Sequence, residues 1–477
     1  MEKYDFEMDV IFNEELQEFV KDASGLEERE QLKKINYFNK NSPHDHILCL
    51  YGLKGSGKKT LMKQSILALP KYNYYETVYI KVRKGDTLSM LENDLKTLFE
   101  HCFQYIYIDE VTLIEDFIDC AAVLSDIYAS TGMHIICSGT DSLGFYLASN
   151  YELYDRVYMV HTSYIPYKEY SRLLNMGDVD SYIKYSGILL DGVFRKREST
   201  NEYVEKAISN NIQTSLMYYG KGTNFRYLKS LYEEGLLNKS VNKVIEDINR
   251  EFLLSVINSI YEECKVKSED KKGLELLLQL TKESNSATNI YDENQRDEIK
   301  EYITNLEIIK NVSRISLREN ENNTEKELFT ISGLRYSEVK SCLYSLLENE
   351  TVNSGDKEEL ITLVMNEVME EMLKEIVLLN TLKKYNKKKN IFVLSLDGGG
   401  FDMVVLDEKT FFVELYEIKY SDKLESKMSI NLTNDLLIMQ VRNIYGRIIR
   451  RCVLYMGESF ENIEGIEYKN VGEFLKE

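Results

Sequence analysis

Gly52, Gly55, Ser56, Gly57 and Lys58, in the run "LCLYGLKGSGKKTLM" that begins at Leu48, have the composition of a loop that cradles phosphate. Glycines let backbone N–H groups converge on an anion. A following helix adds the positive end of its dipole, and the lysine neutralises the outer phosphate oxygens. Downstream, "YIYIDE" ends an apolar run in Asp109 and Glu110. One carboxylate there can hold a magnesium ion beside a bound nucleotide, and the second can polarise an attacking water. In isolation this stretch is also an apolar strand ending in solvated acids; the order and separation of the two motifs favour nucleotide binding. Lys59 departs from the pattern, because a serine or threonine hydroxyl is expected next to the phosphate lysine to bind magnesium. An ammonium offers only donors and cannot coordinate a cation. Thr60 lies about 100° further round a helix and is no simple substitute. Nucleotide binding is expected to survive, with magnesium positioning and turnover weakened.

A second constellation lies in "GGGFDMVVLDEKTFFVELYEIKY", with Asp402 at the start of one strand and Glu417-Ile418-Lys419 near the end of the next. Side chains alternate along a strand, so Glu417 and Lys419 share a face while Ile418 packs inward. A hairpin brings Asp402 to the same edge. Two carboxylates, Asp402 and Glu417, with a backbone carbonyl can hold a hard divalent ion, and Lys419 can orient water or steady a phosphate. A solvated hairpin with an inert ion pair is the alternative. Bases lie nearby in "KKYNKKK" from Lys383 and in Arg442, Arg447, Arg450 and Arg451, although charge runs are commonly solvated faces.

The elements that must position these residues follow from periodicity. From about Ser24 to Tyr170, "HILCLYG", "TVYIKV", "QYIYIDE", "MHIICSGT" and "RVYMVHT" are short, β-branched or aromatic runs that predict buried parallel strands. Between them, "KTLMKQSILAL", "LSMLENDLKTLFEHC" and "LIEDFIDCAAVLSDIYAST" carry apolar residues at helical spacing. The alternation predicts a doubly wound α/β layer with its ligand at the carboxyl ends of the strands. From about Leu173 to Asn353 the pattern turns mainly helical, with polar spacers such as "RKREST" and "RENENNTEK". "ELFTISGLRYSEVKSCLYSLLE" fits a helix-turn-helix-like or winged-helix unit as well as a plain bundle. From about Lys357 a long helix leads into "NIFVLSL", "FDMVVLD" and "TFFVELYEIKY", a helix near Leu432–Tyr445 and the strand "RCVLYMG", which predicts a second α/β unit with a mixed sheet. The predicted division is 1–23, an N-terminal segment; 24–174, the phosphate-loop domain; 175–355, the helical middle; and 356–477, the C-terminal unit.

The 477 residues carry 59 Lys and Arg against 79 Asp and Glu, a formal net charge of −20, so contact with nucleic acid requires a local basic patch. Seven scattered cysteines without a CxxC predict small buried hydrophobes in a reducing compartment. All five histidines precede Tyr164, which excludes a histidine-based site further on. The acidic N-terminus lacks an apolar signal core and no apolar run approaches a membrane span, so a cytoplasmic protein with no membrane partner is expected.

The phosphate loop and acidic pair, with "SGTDSLGF" and "LYDRVYMVHTSYIPYKEYSRLL", resemble the AAA+-like ATPases of the STAND and archaeal-ATPase neighbourhood over roughly Ser24 to Leu174. The resemblance implies ATP and Mg2+ as cofactors, Asp109 as a metal ligand and Glu110 as the catalytic acid. It places Ser138 or Thr140 at a polar sensor position. It also makes Arg156 the candidate arginine for the γ-phosphate, in cis or from a neighbouring copy in a homo-oligomer; a structural salt bridge is the alternative for Arg156. The C-terminal unit, roughly Glu367 to Gly457, resembles the PD-(D/E)xK nuclease-like fold. Asp402 matches its aspartate, Glu417 and Lys419 its ExK, and Glu371 or Glu375 the acid of its first helix. The combined resemblance implies an ATPase, slow because of Lys59, coupled through the helical region to a metal-dependent nuclease acting on nucleic acid. A non-cleaving nucleotide-dependent switch or scaffold with an unidentified protein partner is the alternative.

Overall fold

The computed structural model describes residues 4–477 except 42–43, 115–116, 141–144, 146–152, 154, 163, 176, 188–196, 219–224, 263–267, 287–289, 320, 349–353, 386 and 462–464. Parts of the "SGTDSLGF", "LYDRVYMVHTSYIPYKEYSRLL" and "RKREST" stretches therefore lie outside the described residues.

The first sheet contains β1 (Asp9–Phe12), β2 (Ile47–Tyr51), β3 (Thr77–Lys81), β4 (Tyr105–Asp109), β5 (His134–Gly139) and β6 (Val157–His161) in the order β1-β3-β4-β5-β2-β6. β2 to β6 are parallel and β1 runs antiparallel along β3. β2 shows why an unbroken apolar run belongs in the centre of such a sheet. Ile47 and Cys49 enter the core on one face, and Leu48 and Leu50 enter the core on the other. Register sets the ends level: Tyr51 pairs with Gly139, and Lys81 with Asp109. The loop after β2 and the acids ending β4 thus meet at one edge. The edge strand β1 lies in the segment expected to precede the domain. Its four residues are half-buried and too short to show a period.

Helices Tyr167–Leu173 and Val179–Tyr185 follow the sheet, then further helices up to Glu293–Asn305. The mainly helical middle also carries β7 (Ile309–Ser316) and β8 (Thr324–Phe329), an antiparallel hairpin. β7 joins a second sheet by parallel pairing with β9 (Asn390–Leu396). That sheet continues through β10 (Gly399–Asp407), β11 (Phe412–Ile418), β12 (Arg447–Tyr455), β13 (Phe460–Glu461) and β14 (Glu467–Asn470), in the order β13-β14-β12-β11-β10-β9-β7-β8. Residues 309–329 therefore belong structurally with the C-terminal unit. The "ELFTISGLRYSEVKSCLYSLLE" stretch is the end of β8 followed by one helix, Ser332–Glu348, and not two helices.

The long helix Ser354–Tyr385 precedes the antiparallel meander β9-β10-β11. Helix Asp435–Tyr445 then crosses to β12, which is parallel to β11. Buried Arg335 ties the middle to the long helix: its guanidinium pairs with Glu375, donates to Asn249 Oδ1 at 3.2 Å and lies between the rings of Phe252 and Phe329. Helix Val471–Lys476 returns to helix Tyr167–Leu173, where Phe474 and Leu475 share a core with Tyr167 and Tyr170. Among the described residues no helix is long and apolar enough to cross a membrane.

Candidate functional site

At the end of β2 the chain needs a conformation open mainly to glycine. Gly52 has φ 142°, and a Cβ there would meet Thr162 Oγ1 at 2.5 Å. Gly57 adopts the left-handed region and starts helix Lys58–Leu67, whose first N–H groups have no intrahelical partner. Buried Lys58 donates from Nζ to the carbonyls of Gly52 at 2.7 Å and Leu53 at 3.1 Å. Burial lowers the Lys58 pKa, while Glu110 and Asp109 oppose that shift. An embedded cation, a cramped glycine turn and a free helix N-terminus together fit the phosphates of a nucleotide.

The acidic side is more occupied. Tyr79 Oη and Ser138 Oγ each donate to one oxygen of the Asp109 carboxylate. Burial, and then the Asp109 charge, raise the Tyr79 pKa, which keeps that phenol a donor. Glu110 stands in the left-handed region at φ 57°. Its Oε2 accepts from Thr140 Oγ1 at 3.1 Å, and its N–H donates to Ser138 Oγ at 3.3 Å. Ser138 and Thr140 thus each hold one member of the acidic pair. Lys59 is exposed, with Nζ 5.2 Å from the centroid of the Phe19 ring, so its charge is directed along helix Asn13–Val20. Thr60 is half-buried one position further on. The site thus fits a nucleotide, while the position beside Lys58 still supplies no hydroxyl to magnesium.

Arg156 is not brought to this edge. Its carbonyl accepts from the N–H of Ile47, at the start of β2, and its guanidinium pairs with Asp126. It therefore lies a whole strand away from the phosphate loop of its own chain.

Several residues absent from the sequence reading support the loop. Buried Arg29 donates to the Ser56 carbonyl and, at 2.8 Å, to Glu169 Oε2. Glu169 also accepts from the Glu30 N–H at 3.0 Å; although burial raises its pKa, the Arg29 hydrogen bond and charge bring it below the ordinary value. Ser56 Oγ lies 2.7 Å from Thr162 Oγ1. On the other side Leu53 joins the core of the middle helices, Tyr203 Oη donates to the Lys54 carbonyl at 3.3 Å, and Asn211 donates to the Thr140 carbonyl at 3.0 Å. Glu169 lies within the quoted "IPYKEY", but nothing in its spacing identifies Arg29 as the partner.

In the C-terminal unit, Asp402, Glu417 and Lys419 are brought together. Asp402 accepts from the Ile418 N–H at 2.8 Å, and Lys419 Nζ lies 3.7 Å from Glu417 and 4.0 Å from Asp402. The long helix contributes Lys374, 3.4 Å from Asp402, and Glu370, 3.4 Å from Lys419. Glu370 is thus the helix acid that reaches Lys419. Glu371 instead pairs with Lys326 and Lys374, and Glu375 with Arg335. Burial, then the neighbouring Asp402, push the Glu417 pKa far up. Burial also raises Asp402, but Lys374 and Lys419 outweigh it and hold Asp402 low. Asp402 and Glu417 are the two carboxylates this cluster could offer a hard ion, and Lys374 and Lys419 face them. Among the described residues no group of three or more His, Cys, Asp or Glu is arranged to hold a metal.

No curated protein matches the chain. Among solved structures it is similar to the Aeropyrum pernix ORC1 protein in complex with DNA, at 13% identity over 67% of this chain and 91% of that one, TM-score 0.26. It is also similar to C. elegans PCH-2, at 14% identity over 46% and 62%, TM-score 0.21. A third similarity is to the closed state of Hsp104 with ATPγS and FITC casein, at 12% identity over 92% and 66%, TM-score 0.27. The chain spans less than two thirds of the length of the latter two. Residues 44–171 match the family model described as an AAA domain, in agreement with the strand–loop–helix geometry around Lys58.

Proposed function

We propose that the chain is an ATP-binding AAA+-type switch whose nucleotide state passes through the helical middle to a C-terminal domain that cleaves nucleic-acid phosphodiesters with a divalent metal. The observation that carries the coupling is the contact of the phosphate loop with the middle region through Leu53, Lys54 and Tyr203. An anion that draws Lys58 away from the Gly52 and Leu53 carbonyls changes the same short backbone that Tyr203 holds. Glu110 and Asp109 would serve turnover, and the missing hydroxyl at position 59 would keep that turnover slow.

The C-terminal chemistry rests on the helix, meander and parallel-strand order together with the carboxylate–lysine cluster. Asp402 and Glu417 would hold the metal, which when bound supplies positive charge to the phosphate and acidifies a water. Glu417 must give up its proton to serve as a ligand, and Asn431, donating to Glu417 Oε1 at 2.7 Å, fixes its orientation. Lys419 faces both carboxylates and would steady the phosphate charge. Lys374 must yield part of its contact with Asp402. That contact favours the second reading, a non-cleaving docking module, because two lysines already balance the carboxylates without a metal.

Metal-dependent degradation of plasmid or single-stranded DNA, compared between the intact chain and Asp402→Ala, separates the two. Loss of cleavage in the variant is expected; equal degradation by both would remove the cluster from the chemistry. For the nucleotide site, Lys58→Ala should abolish ATP binding in a titration with and without magnesium. Unchanged affinity would exclude the loop as the binding element.

A further inference from the structure

The geometry points to a second phosphate-binding site, a cleft lined by lysines between the first sheet, the β7 hairpin and the end of the long helix, that takes the backbone of a double-stranded nucleic acid. The cleft has a volume of about 1370 Å³. Seven lysines line it against three glutamates, an excess opposite in sign to the net charge of −20. They come from separate parts of the chain: Lys33 and Lys34 from helix Leu32–Asn41, Lys310 from β7, Lys383 from the long helix, and Lys387, Lys388 and Lys389 from the turn before β9. Only folding assembles them, which separates this cleft from an ordinary solvated charge run.

The lysines differ in what already holds them. Lys389 pairs with Glu414 and Lys310 with Glu307, so these two are partly neutralised. Glu307 also faces His161 at 3.0 Å, so its carboxylate is engaged by both His161 and Lys310. Lys33, Lys34, Lys387 and Lys388 are exposed and make no ion pair among the described residues. Like charges gathered without counter-charges are unfavourable and gain most from an anion with repeated phosphates. Burial lowers the Lys383 pKa to about 8, with Glu169 opposing and Arg29 adding to that shift. A nearby phosphate would hold Lys383 fully charged.

The shape and lining choose among phosphate ligands. Small-molecule pockets are commonly about 300–1,000 Å³, so this cleft exceeds what one nucleotide fills. Among the described lining residues there is no Phe, Tyr or Trp, and the one aromatic ring, His161, already packs against Tyr51 and faces Glu307, so the cleft offers little platform for the base stacking that single strands use. Contact through phosphates alone suits a duplex, whose bases stay paired. The cleft is also distinct from the Asp402–Glu417 cluster. Lys374 and Lys383 lie nine positions apart on one helix, which turns them about 180° to opposite faces. The inference assumes nucleic acid as the partner, as the proposed function does, but it does not require cleavage.

The test is fluorescence anisotropy of a labelled DNA duplex with the full chain in EDTA, from about 50 to 200 mM salt. Binding should weaken steeply with salt, and Lys387→Ala with Lys388→Ala should reduce the slope of log K against log salt by about 2, at about 0.9 per lost contact. Lys33→Ala with Lys34→Ala should do the same. All four side chains are exposed, so the variants should fold. Because EDTA withholds the divalent metal, binding is read apart from cleavage. An unchanged slope in both lysine pairs overturns the site, as does an effect only of Arg442→Ala with Arg447→Ala. Inorganic polyphosphate should compete with the duplex; binding of polyphosphate without the duplex would overturn the assignment to nucleic acid.

Discussion

Lys59 shows how a side chain can leave a motif incomplete without obstructing it. Its ammonium lies over Phe19, an exposed cation–π contact worth about 0.5–1 kcal/mol, so the charge is directed away from the phosphates while the hydroxyl is still missing. Lys59→Thr should therefore raise magnesium-dependent ATP turnover, whereas Lys59→Ala should leave it unchanged. Equal rates in both variants, read by phosphate release, would show that the hydroxyl has no role here. Glu417 gives a pH prediction of defined sign. Burial and Asp402 raise its pKa to about 8, so between the unfolded value of about 4.3 and pH 8 the folded chain binds the extra proton. Without metal, stability should fall as pH rises through that window, at up to about 1.4 kcal/mol per unit. Glu417→Gln should flatten that dependence in denaturant melts taken in EDTA. A parallel decline in the variant would place the proton elsewhere.

The phosphate loop works as an element only because distant segments hold its backbone. Arg29, before helix Leu32–Asn41, and Glu169, in the helix after β6, form a buried pair on the Ser56 carbonyl. Removing one member leaves the other charge buried and alone, at a cost of about 3–5 kcal/mol. Arg29→Ala should lower the melting temperature and weaken ATP binding. Arg29→Met with Glu169→Leu should regain most of the stability but not the affinity, because the Ser56 carbonyl stays without its donor. Full recovery of affinity in the double variant would reduce the pair to packing. This brace also marks where the sequence stops being legible. β2 to β5 were readable because central parallel strands are apolar on both faces, and Gly52, Lys58, Asp109 and Glu110 sit at their ends by register. β7 and β8, "IKNVSRIS" and "TEKELF", show no period-2 alternation, and the first residues of β8 lie inside the polar spacer "RENENNTEK", so neither strand stands out in the sequence. The Arg29–Glu169 contact joins residues 140 positions apart, and no local period encodes it.

Across the whole molecule, the two sheets are linked by cores that cross the expected boundaries. Leu53 packs among the middle helices, and Tyr164 joins a core that includes Leu373 and Ile418. ATP should accordingly slow amide exchange beyond its own loop, in helices Arg197–Val204 and Asn210–Tyr218, which carry Tyr203 and Asn211. Protection confined to residues 52–60 would mean that the helical region does not sense the nucleotide.

The helix Val471–Lys476, lying against Tyr167 and Tyr170, has a consequence in time. A ribosome makes the phosphate loop early, yet the helix carrying Glu169 waits for a neighbour some 300 residues downstream. At about 5–20 residues per second that wait is roughly 15–60 s. During it the nascent chain holds a complete glycine–lysine motif on an unfinished support. Competence to bind nucleotide would then wait until residues 471–476 have been made, and with it the first moment at which both sheets are present together.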